Sequence, residues 1–464
     1  MTSLSWSRAR AAHLYRRAGF GGSPEELDAA VTDGREATVD RLVDFEQVPP
    51  DSLNAVLSRF NFDLTTWYPQ GSDPRGAQTV RLVTWWAMRM THTPRPLEEK
   101  MTLFWHGHFT TSDAKLDSPW MLLQQNQLFR TRGMGRFRDF LVAVSTQPAM
   151  LFWLDNALNV KDSPNENFAR ELMELFTMGI GHYTQQDVTE AARALTGWTF
   201  TGDHDVDFTF GFDPSIHDDG LKTFLGTAGY YRGEDICAII AARPETAEFM
   251  TRKLARFFIG RDPRPALARR LVDAWVASDG EIRRIVREIL LSDDFDESAD
   301  RGEMIKSPSE FLIGAFRGLG ARDEIASGDL QATTGQIVWD MGGALGQFLF
   351  VPPNVAGWPG GRAWINTGSY VMRMFAVARL VWGDYSDRWD LDRFFGGRSF
   401  SSPDELIDFL ADRLAMVAPS SASRRALHDY LASAGPFAWN ADSPNRWGRG
   451  ALDLLMSSPE YQLQ

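Results

Sequence analysis

Four short segments of the chain carry the same signature of a helix start. The tetrapeptides SPEE, SPNE, SPSE and SPDE begin at Ser23, Ser163, Ser307 and Ser402. In each, the Ser is suited to cap a helix, the Pro fits the first turn, and the Glu three residues on can complete a capping box. Helix starts this regular, spread along the chain, favour a fold built mainly from helices.

Amphipathic runs with helical spacing fill much of the remaining sequence. They cover residues 81–92, 97–105, 119–132, 135–146, 187–196, 245–258, 264–277, 280–291, 308–318, 404–414 and 447–457. Residues 199–230 instead alternate apolar and polar residues between turn residues, which predicts a small β-hairpin or a long structured loop. The sequence therefore predicts a mainly α protein, a multi-helical globular bundle with one small insertion.

Composition excludes several classes of function. The net charge of −13 argues against nucleic acid as a partner, because such a partner requires an excess of Lys and Arg on one face. The single cysteine, Cys237, rules out an internal disulfide framework and a Cys-based zinc cluster. No apolar run is long enough to suggest a membrane span. The N-terminus shows no signal peptide, so the sequence by itself predicts a cytoplasmic protein.

Six segments together resemble a known family. They read HLYRRAGFGGSPEEL, FWHGHFTTS, NENFARELMELF, HDDGLKTFLG, KSPSEFL and PPNVAGWPGG. In this order they closely resemble the bacterial family catalogued as domain of unknown function 1800, from about residue 13 to the C-terminal SPEYQ. The resemblance implies one family-length helical unit over residues 1–464, within which a C-terminal helical lobe from about residue 390 could be separable. It also implies that relatives are often exported and encoded beside a sulfatase-like partner, but it supplies no reaction.

The segment PNENFARELMELF, residues 164–176, is rich in carboxylates that local structure could explain. Glu166 is placed to complete the capping box of Ser163. Glu166, Arg170 and Glu174 are spaced four residues apart, as in a ladder of charge pairs on one helix face. On a helix that faces solvent, these local contacts would be enough to explain the three charged residues.

The same segment also supplies candidates for a cleft. Asn167 and Glu171 share the polar face with the ladder, and these two residues and Asn165 have no local role. We predict Glu171 and Glu174 as catalytic carboxylates, and Asn165, Asn167 and Arg170 as substrate-binding residues. Both interpretations of the helix stay open at this point.

The segment FWHGHF contains His106 and His108, two candidates for catalysis or metal binding. On a helix their side chains would point about 200° apart, so they converge only if the chain is extended beyond Gly107. A His-x-His pair on an extended segment is a familiar metal-ligand spacing, which would need a third ligand such as His217 or Glu171. Acid–base catalysis and a purely structural role are the alternatives.

The segment HDDGLKTFLG is predicted to present its polar residues on a loop. His217 and Asp218 are candidates for proton transfer, and Lys222 is a candidate substrate-binding cation. Asx turns, in which an Asp side chain accepts a nearby backbone N–H, explain the two Asp residues equally well.

Residues 349–370 form a Pro- and Gly-rich segment with several aromatic residues. An ordered loop of this length in a helical protein is usually functional. Asn354 and Trp358 are candidate substrate-binding residues, since an exposed Trp beside an amide suits the face of a sugar. The alternative is that the Trp rings fix the loop to the core.

Three hypotheses of function follow. The first is an enzyme, hydrolase-like, that acts on a saccharide or another polar polymer in a cleft lined by His, Glu and Asp. The second is a metal-dependent enzyme that uses His106, His108 and a carboxylate such as Asp218. The third is a non-catalytic partner or scaffold for a sulfatase-like protein. The cofactor is unknown under the first hypothesis and a divalent metal under the second.

Overall fold

Helices make up most of the protein in its computed structural model, which confirms the predicted fold class. The structure describes residues 5–60, 75–203, 206–299, 302, 304–321, 334–386, 389–433 and 435–464. The helices up to residue 194 are α1 (Arg8–Arg17), α2 (Pro24–Asp33), α3 (Arg35–Val43), α4 (Asp51–Phe60), α5 (Arg75–His92), α6 (Pro96–His108), α7 (Asp113–Leu116), α8 (Pro119–Arg132), α9 (Phe137–Ser145), α10 (Pro148–Trp153), α11 (Asn167–Glu174) and α12 (Gln185–Ala194).

The remaining helices follow a short β region. They are α13 (Gly233–Ala241), α14 (Pro244–Ile259), α15 (Pro265–Ala277), α16 (Ile282–Leu290), α17 (Asp293–Ser298), α18 (Pro308–Leu319), α19 (Thr334–Ala344), α20 (Thr367–Val381), α21 (Leu391–Phe395), α22 (Pro403–Arg413), α23 (Ser421–Ala432) and α24 (Arg449–Met456). None of the helices in the described ranges is both long and apolar enough to cross a membrane.

The predicted insertion is present as two small antiparallel hairpins. Strand β1 (Trp198–Asp203) pairs with β2 (Val206–Phe212), and β3 (Lys222–Phe224) pairs with β4 (Thr227–Gly229). The alternation of Trp198, Phe200, Phe210 and Phe212 with polar residues places these rings on one face of the first hairpin. Trp198 is buried in the core and Phe210 and Phe212 pack against it.

Two of the four helix starts are closed by the capping box that the sequence predicts. The hydroxyl of Ser23 accepts from the backbone N–H of Glu26, whose carboxylate accepts from the N–H of Ser23, and α18 begins in the same way. At Ser402 the hydroxyl also caps α22, but the Glu405 carboxylate accepts from Ser401 instead.

The predicted cap at Ser163 is wrong. Helix α11 begins only at Asn167, and the side chain of its N-cap residue, Glu166, makes no capping hydrogen bond. Ser163 instead forms an isolated β-bridge with Val160. The Glu166 carboxylate binds the next helix, as described below, so long-range contacts override the local capping pattern.

Helix α6 lies between two hydrophobic clusters. Leu97, Met101 and Trp105 belong to a first cluster that includes buried residues of α1, α9, α14 and α16. Leu103, on another face of α6, belongs to a second cluster that includes buried residues of α5, α18, α22 and α24. A helix with apolar residues on opposite sides is buried all round. Its C-terminal end, which carries the two histidines, therefore lies where the two clusters meet.

Candidate functional site

His106 holds the aromatic loop (residues 349–370) against α6. Its Nε2 accepts a hydrogen bond of 3.0 Å from the backbone N–H of Phe350, and its ring packs edge-on against Trp86. Only 1% of the residue is exposed. Burial lowers the pKa of His106 to about 3, because the imidazolium form would lose its hydration. His106 is thus neutral, and its contacts explain it as a structural acceptor.

His108 points to the other side of the helix. Its Nε2 donates to the carbonyl of Phe176 at 3.0 Å, and its ring stacks on Phe104. Burial, together with the charge of Lys253, holds its pKa well below the usual value. The buried Nδ1 has no hydrogen-bond partner in the described part of the chain.

The two histidines therefore do not converge. Convergence requires an extended chain at Gly107, whereas α6 runs through His108. Among the residues that the structure describes, no group of three or more His, Cys, Asp and Glu side chains is arranged to hold a metal ion.

Glu166 joins α11 to α12. Its carboxylate accepts from the hydroxyl of Thr189 at 2.7 Å, the amide of Gln185 at 2.7 Å and the guanidinium of Arg170 at 3.2 Å. The two neutral donors are the main reason that its pKa lies below the usual value. Arg170 also donates to Gln185, so this candidate substrate-binding residue takes part in the contact between the two helices.

Asn165 and Asn167 have local partners as well. The Oδ1 of Asn165 accepts from the backbone N–H of Asn167 at 3.0 Å, which forms an Asx turn ahead of α11. The side-chain amide of Asn167 donates to the carbonyl of Leu154 at 3.2 Å. These contacts account for both residues without a substrate.

Glu171 and Glu174 differ from the rest of the segment. Glu174 accepts a hydrogen bond of 2.8 Å from the hydroxyl of Tyr183. Partial burial, and then the charge of Glu174, raises the pKa of Glu171 above its ordinary value. No hydrogen bond reaches the Glu171 carboxylate from any residue that the structure describes. The two carboxyls are three residues apart, on one face of α11.

The residues of HDDGLK stabilise their own loop. His217 is buried, and its Nδ1 donates to the carbonyl of Thr196 at 2.8 Å. Asp218 accepts from the guanidinium of Arg193 at 2.7 and 3.2 Å and from the N–H of Gly220. The ammonium of Lys222 donates to the carbonyls of Asp218 and Gly220. The hydrogen bonds, ion pairs and ring contacts found for His217 in the described chain do not include either histidine of α6.

In the aromatic loop, Asn354 is exposed to solvent, whereas Trp358 packs against His106 and lines a cavity. The Oδ1 of Asn354 accepts from the N–H of Ala356 at 2.9 Å, within an exposed turn. The ring of Trp358 lies 5.5 Å from the ring of His106, centroid to centroid, and is partly exposed to a cavity. The loop thus packs on the core and also forms part of the wall of this cavity.

Two cavities adjoin at the end of α6. The first, the glutamate cavity, has a volume of about 360 Å³ and is lined by Glu174, Val355 and Ala356 among others. The second, the aromatic cavity, measures about 440 Å³. Its walls include the side chains of Phe104, Phe257, Trp358, Trp364, Ser307, Glu310 and Gln347. His108 and Lys253 line both cavities, and we call the two together the cleft.

Lys253, at the junction of the two cavities, is a candidate that the sequence analysis missed. Its ammonium lies 5.6 Å from the ring centroid of Phe249, and within the described residues it forms no hydrogen bond and no ion pair. Burial lowers its pKa to about 8. A signal was present in FMTRKLARF, because Phe249 and Phe257 flank Lys253 at four residues on either side, a spacing that places the lysine on an apolar stripe.

Comparison with known proteins places the chain in one family. The family model described as "Protein of unknown function (DUF1800)" matches residues 13–463. The chain belongs to this family. No curated protein and no solved structure matches it significantly.

The cleft of this DUF1800 protein and the neighbouring helix α11 carry groups with different chemistry. Glu171 does not line either cavity, but it lies one turn before Glu174 on the same face of α11, and its raised pKa suits it to give up a proton. Glu174 lines the glutamate cavity and accepts a hydrogen bond from a neutral hydroxyl. Lys253 supplies a positive charge that no carboxylate of the described chain neutralises. Pairs of carboxyls in unlike environments, beside a fixed cation, are typical of acid–base sites.

Proposed function

We propose that this DUF1800 protein is a hydrolase-like enzyme that acts on a saccharide or another polar polymer in the cleft. The observation that carries the proposal is the pair Glu171 and Glu174. One carboxyl has a raised pKa, and the other lines a cavity next to the unpaired cation Lys253. The four aromatic side chains of the adjoining cavity are suited to contact sugar rings.

In this proposal Glu171 gives a proton to the leaving-group oxygen, because its raised pKa keeps it protonated at higher pH than an ordinary carboxyl. Glu174 acts as the base that takes a proton from the attacking water. The bond between the substrate carbon and the leaving oxygen breaks as the bond to the water oxygen forms. These proton transfers and the exchange of bonds at the substrate carbon need no metal or other cofactor.

The test is hydrolysis of a panel of polysaccharides, measured as release of reducing ends. We expect Glu171→Gln and Glu174→Gln to lower kcat/KM by at least about a hundredfold, in the usual range for removing a general acid or base. Glu248→Gln is the matched control, because Glu248 is exposed and lines neither cavity. Equal activity of all three variants would refute the roles of the two glutamates.

The two other hypotheses gain no specific support. A metal held by His106 and His108 would need both rings on one side, and Asp218, the carboxylate predicted to join them, is paired with Arg193. Metal analysis of the same purified preparation tests this hypothesis directly. A non-catalytic partner of a sulfatase-like protein would show no hydrolysis with any substrate in the panel.

A further inference from the structure

We infer that the ligand of the cleft is an acidic saccharide, one whose sugar units carry an anionic oxygen group such as a carboxylate or a sulfate ester, and that Lys253 binds this group. The inference rests on the proposed function and specifies its substrate class.

The other charged side chains that line the aromatic cavity are neutralised within the protein. Arg256 is paired with Asp262, with Nη2 and Oδ2 separated by 2.8 Å. Glu310, which lines this cavity, is paired with the buried Lys100 behind it. Each of these pairs leaves little net charge for a ligand.

Lys253 is the exception among these groups. It is only partly exposed, its ammonium lies over the ring of Phe249, and no carboxylate of the described chain reaches it. A cation that is withdrawn from water without a partner is costly, so proteins normally supply a counter-charge. Here the open space on both sides of the ammonium leaves that role to a ligand.

The neighbours of Lys253 favour an anion at this position. Arg252 is exposed at the rim of the glutamate cavity and adds to the positive potential there. His108 is buried and neutral, so it does not compete for the anion with a charge of its own. Glu174 is the opposing charge, and its hydrogen bond with Tyr183 occupies part of its carboxylate.

The lining of the aromatic cavity favours a ligand larger than a free anion. Phe104, Phe257, Trp358 and Trp364 line a space of about 440 Å³ that begins at Lys253. Aromatic faces beside Ser307 and Gln347 suit a sugar ring, which presents apolar C–H faces and polar edges. Inorganic phosphate or sulfate would leave this surface uncovered.

Binding by isothermal titration calorimetry tests the inference without relying on catalysis. The probes are oligogalacturonate for a carboxylate, dextran sulfate oligomers for a sulfate ester, neutral dextran oligomers of the same length, and inorganic sulfate. We expect at least one acidic oligosaccharide to bind about tenfold or more tighter than the neutral one, as a charge-assisted hydrogen bond allows. The stronger of the two acidic probes identifies the anionic group.

Variants of the lysine complete the experiment. We expect Lys253→Met to lose about tenfold or more in affinity for the acidic probe and none for the neutral one, whereas Lys253→Arg keeps most of it. Lys161→Met removes the same charge from an exposed residue that lines neither cavity, and we expect wild-type affinity. Thermal unfolding confirms that each variant is folded.

The outcomes separate the inference from the proposed function. Binding of acidic saccharides that depends on Lys253, without release of reducing ends, supports the inference and refutes the hydrolase. Hydrolysis of neutral saccharides that Lys253→Met leaves unchanged supports the hydrolase and refutes the inference. Equal affinity for acidic and neutral probes, tight binding of inorganic sulfate alone, or no binding of any probe would overturn the inference.

Discussion

Lys253 is held in the fold at an energetic cost. Its pKa of about 8, lowered by burial, means that the folded protein binds the proton less tightly than an unfolded chain, in which the ordinary value of 10.5 applies. Below pH 8 the lysine is charged in both states and the full cost is present. A residue that lowers the stability of the fold is often one that serves a function.

We therefore predict that Lys253→Met stabilises the protein at pH 7, by about 0.5–2 kcal/mol, because it removes an unpaired cation and keeps the apolar stem. Between pH 8 and 10.5 the unfolded chain binds more protons at this position than the folded one, so the stability of the wild type rises relative to that of the variant. Urea unfolding of both proteins at pH 7 and pH 9.5 measures the difference in their free energies of unfolding and its change with pH. A variant that is less stable than the wild type at pH 7 contradicts it.

At the scale of elements, the aromatic loop and α6 fix each other. Phe350 donates to His106, the hydroxyl of Thr110 donates to the carbonyl of Val355, and Gly357 lies directly over the end of the helix. A Cβ at Gly357, whose φ is +80°, would lie 2.7 Å from the carbonyl oxygen of Gly107. Neither backbone can move aside without lifting the loop from the cleft.

We predict that Gly357→Ala destabilises the protein by about 2–4 kcal/mol, since strain of about 1 kcal/mol from the left-handed backbone adds to a clash with backbone atoms. Gly396→Ala is the matched control: the backbone is left-handed there as well, with φ +59° and ψ +31°, but no atom lies closer than 4.0 Å to the added Cβ. That variant should lose only about 1 kcal/mol. Equal losses in the free energy of urea unfolding would show that Gly357 is not in close contact with α6.

Elements with strong local signals were predicted correctly, and those decided by distant contacts were not. The predicted run 119–132 coincides with α8, and the capping boxes at Ser23 and Ser307 are present. At Ser163 the same four-residue pattern failed, because Thr189 and Gln185 of another helix bind Glu166. Local spacing describes neighbours on one turn, and it does not contain the partners that the fold brings in.

The candidate site divides in the same way. Glu174 and Trp358, two of the predicted site residues, line the cleft, whereas Glu171, for which the sequence offered no local role, lines neither cavity. Whether His106 and His108 could share a ligand depended on where α6 ends, and helix boundaries are the least certain part of a sequence prediction. Lys253 was missed because its lack of a partner is a property of the folded chain and not of its own helix.

At the scale of the whole molecule, the segment after residue 390 shares its core with the middle of the chain. Phe395, Leu410 and Leu455 belong to the same hydrophobic cluster as Trp86 of α5 and Phe316 of α18. Polar contacts also join this segment to distant parts of the chain. The guanidinium of Arg16 donates to the carbonyl of Ala415 at 2.7 Å, and the ammonium of Lys306 donates to the carbonyl of Tyr461 at 2.7 Å.

We therefore predict that the C-terminal lobe from about residue 390 is not separable. A chain that ends at residue 390 would expose the apolar faces of α5 and α18, and each large side chain that loses its packing costs about 2–5 kcal/mol against a total stability of about 5–15 kcal/mol. We expect residues 1–390 to show no cooperative thermal transition by circular dichroism, whereas the full chain shows one. A cooperative transition in the shortened chain, with binding of the same ligand, would establish the lobe as a separate domain. The cleft depends on this outcome, because Ile305, one of its lining residues, forms an isolated β-bridge with Leu463.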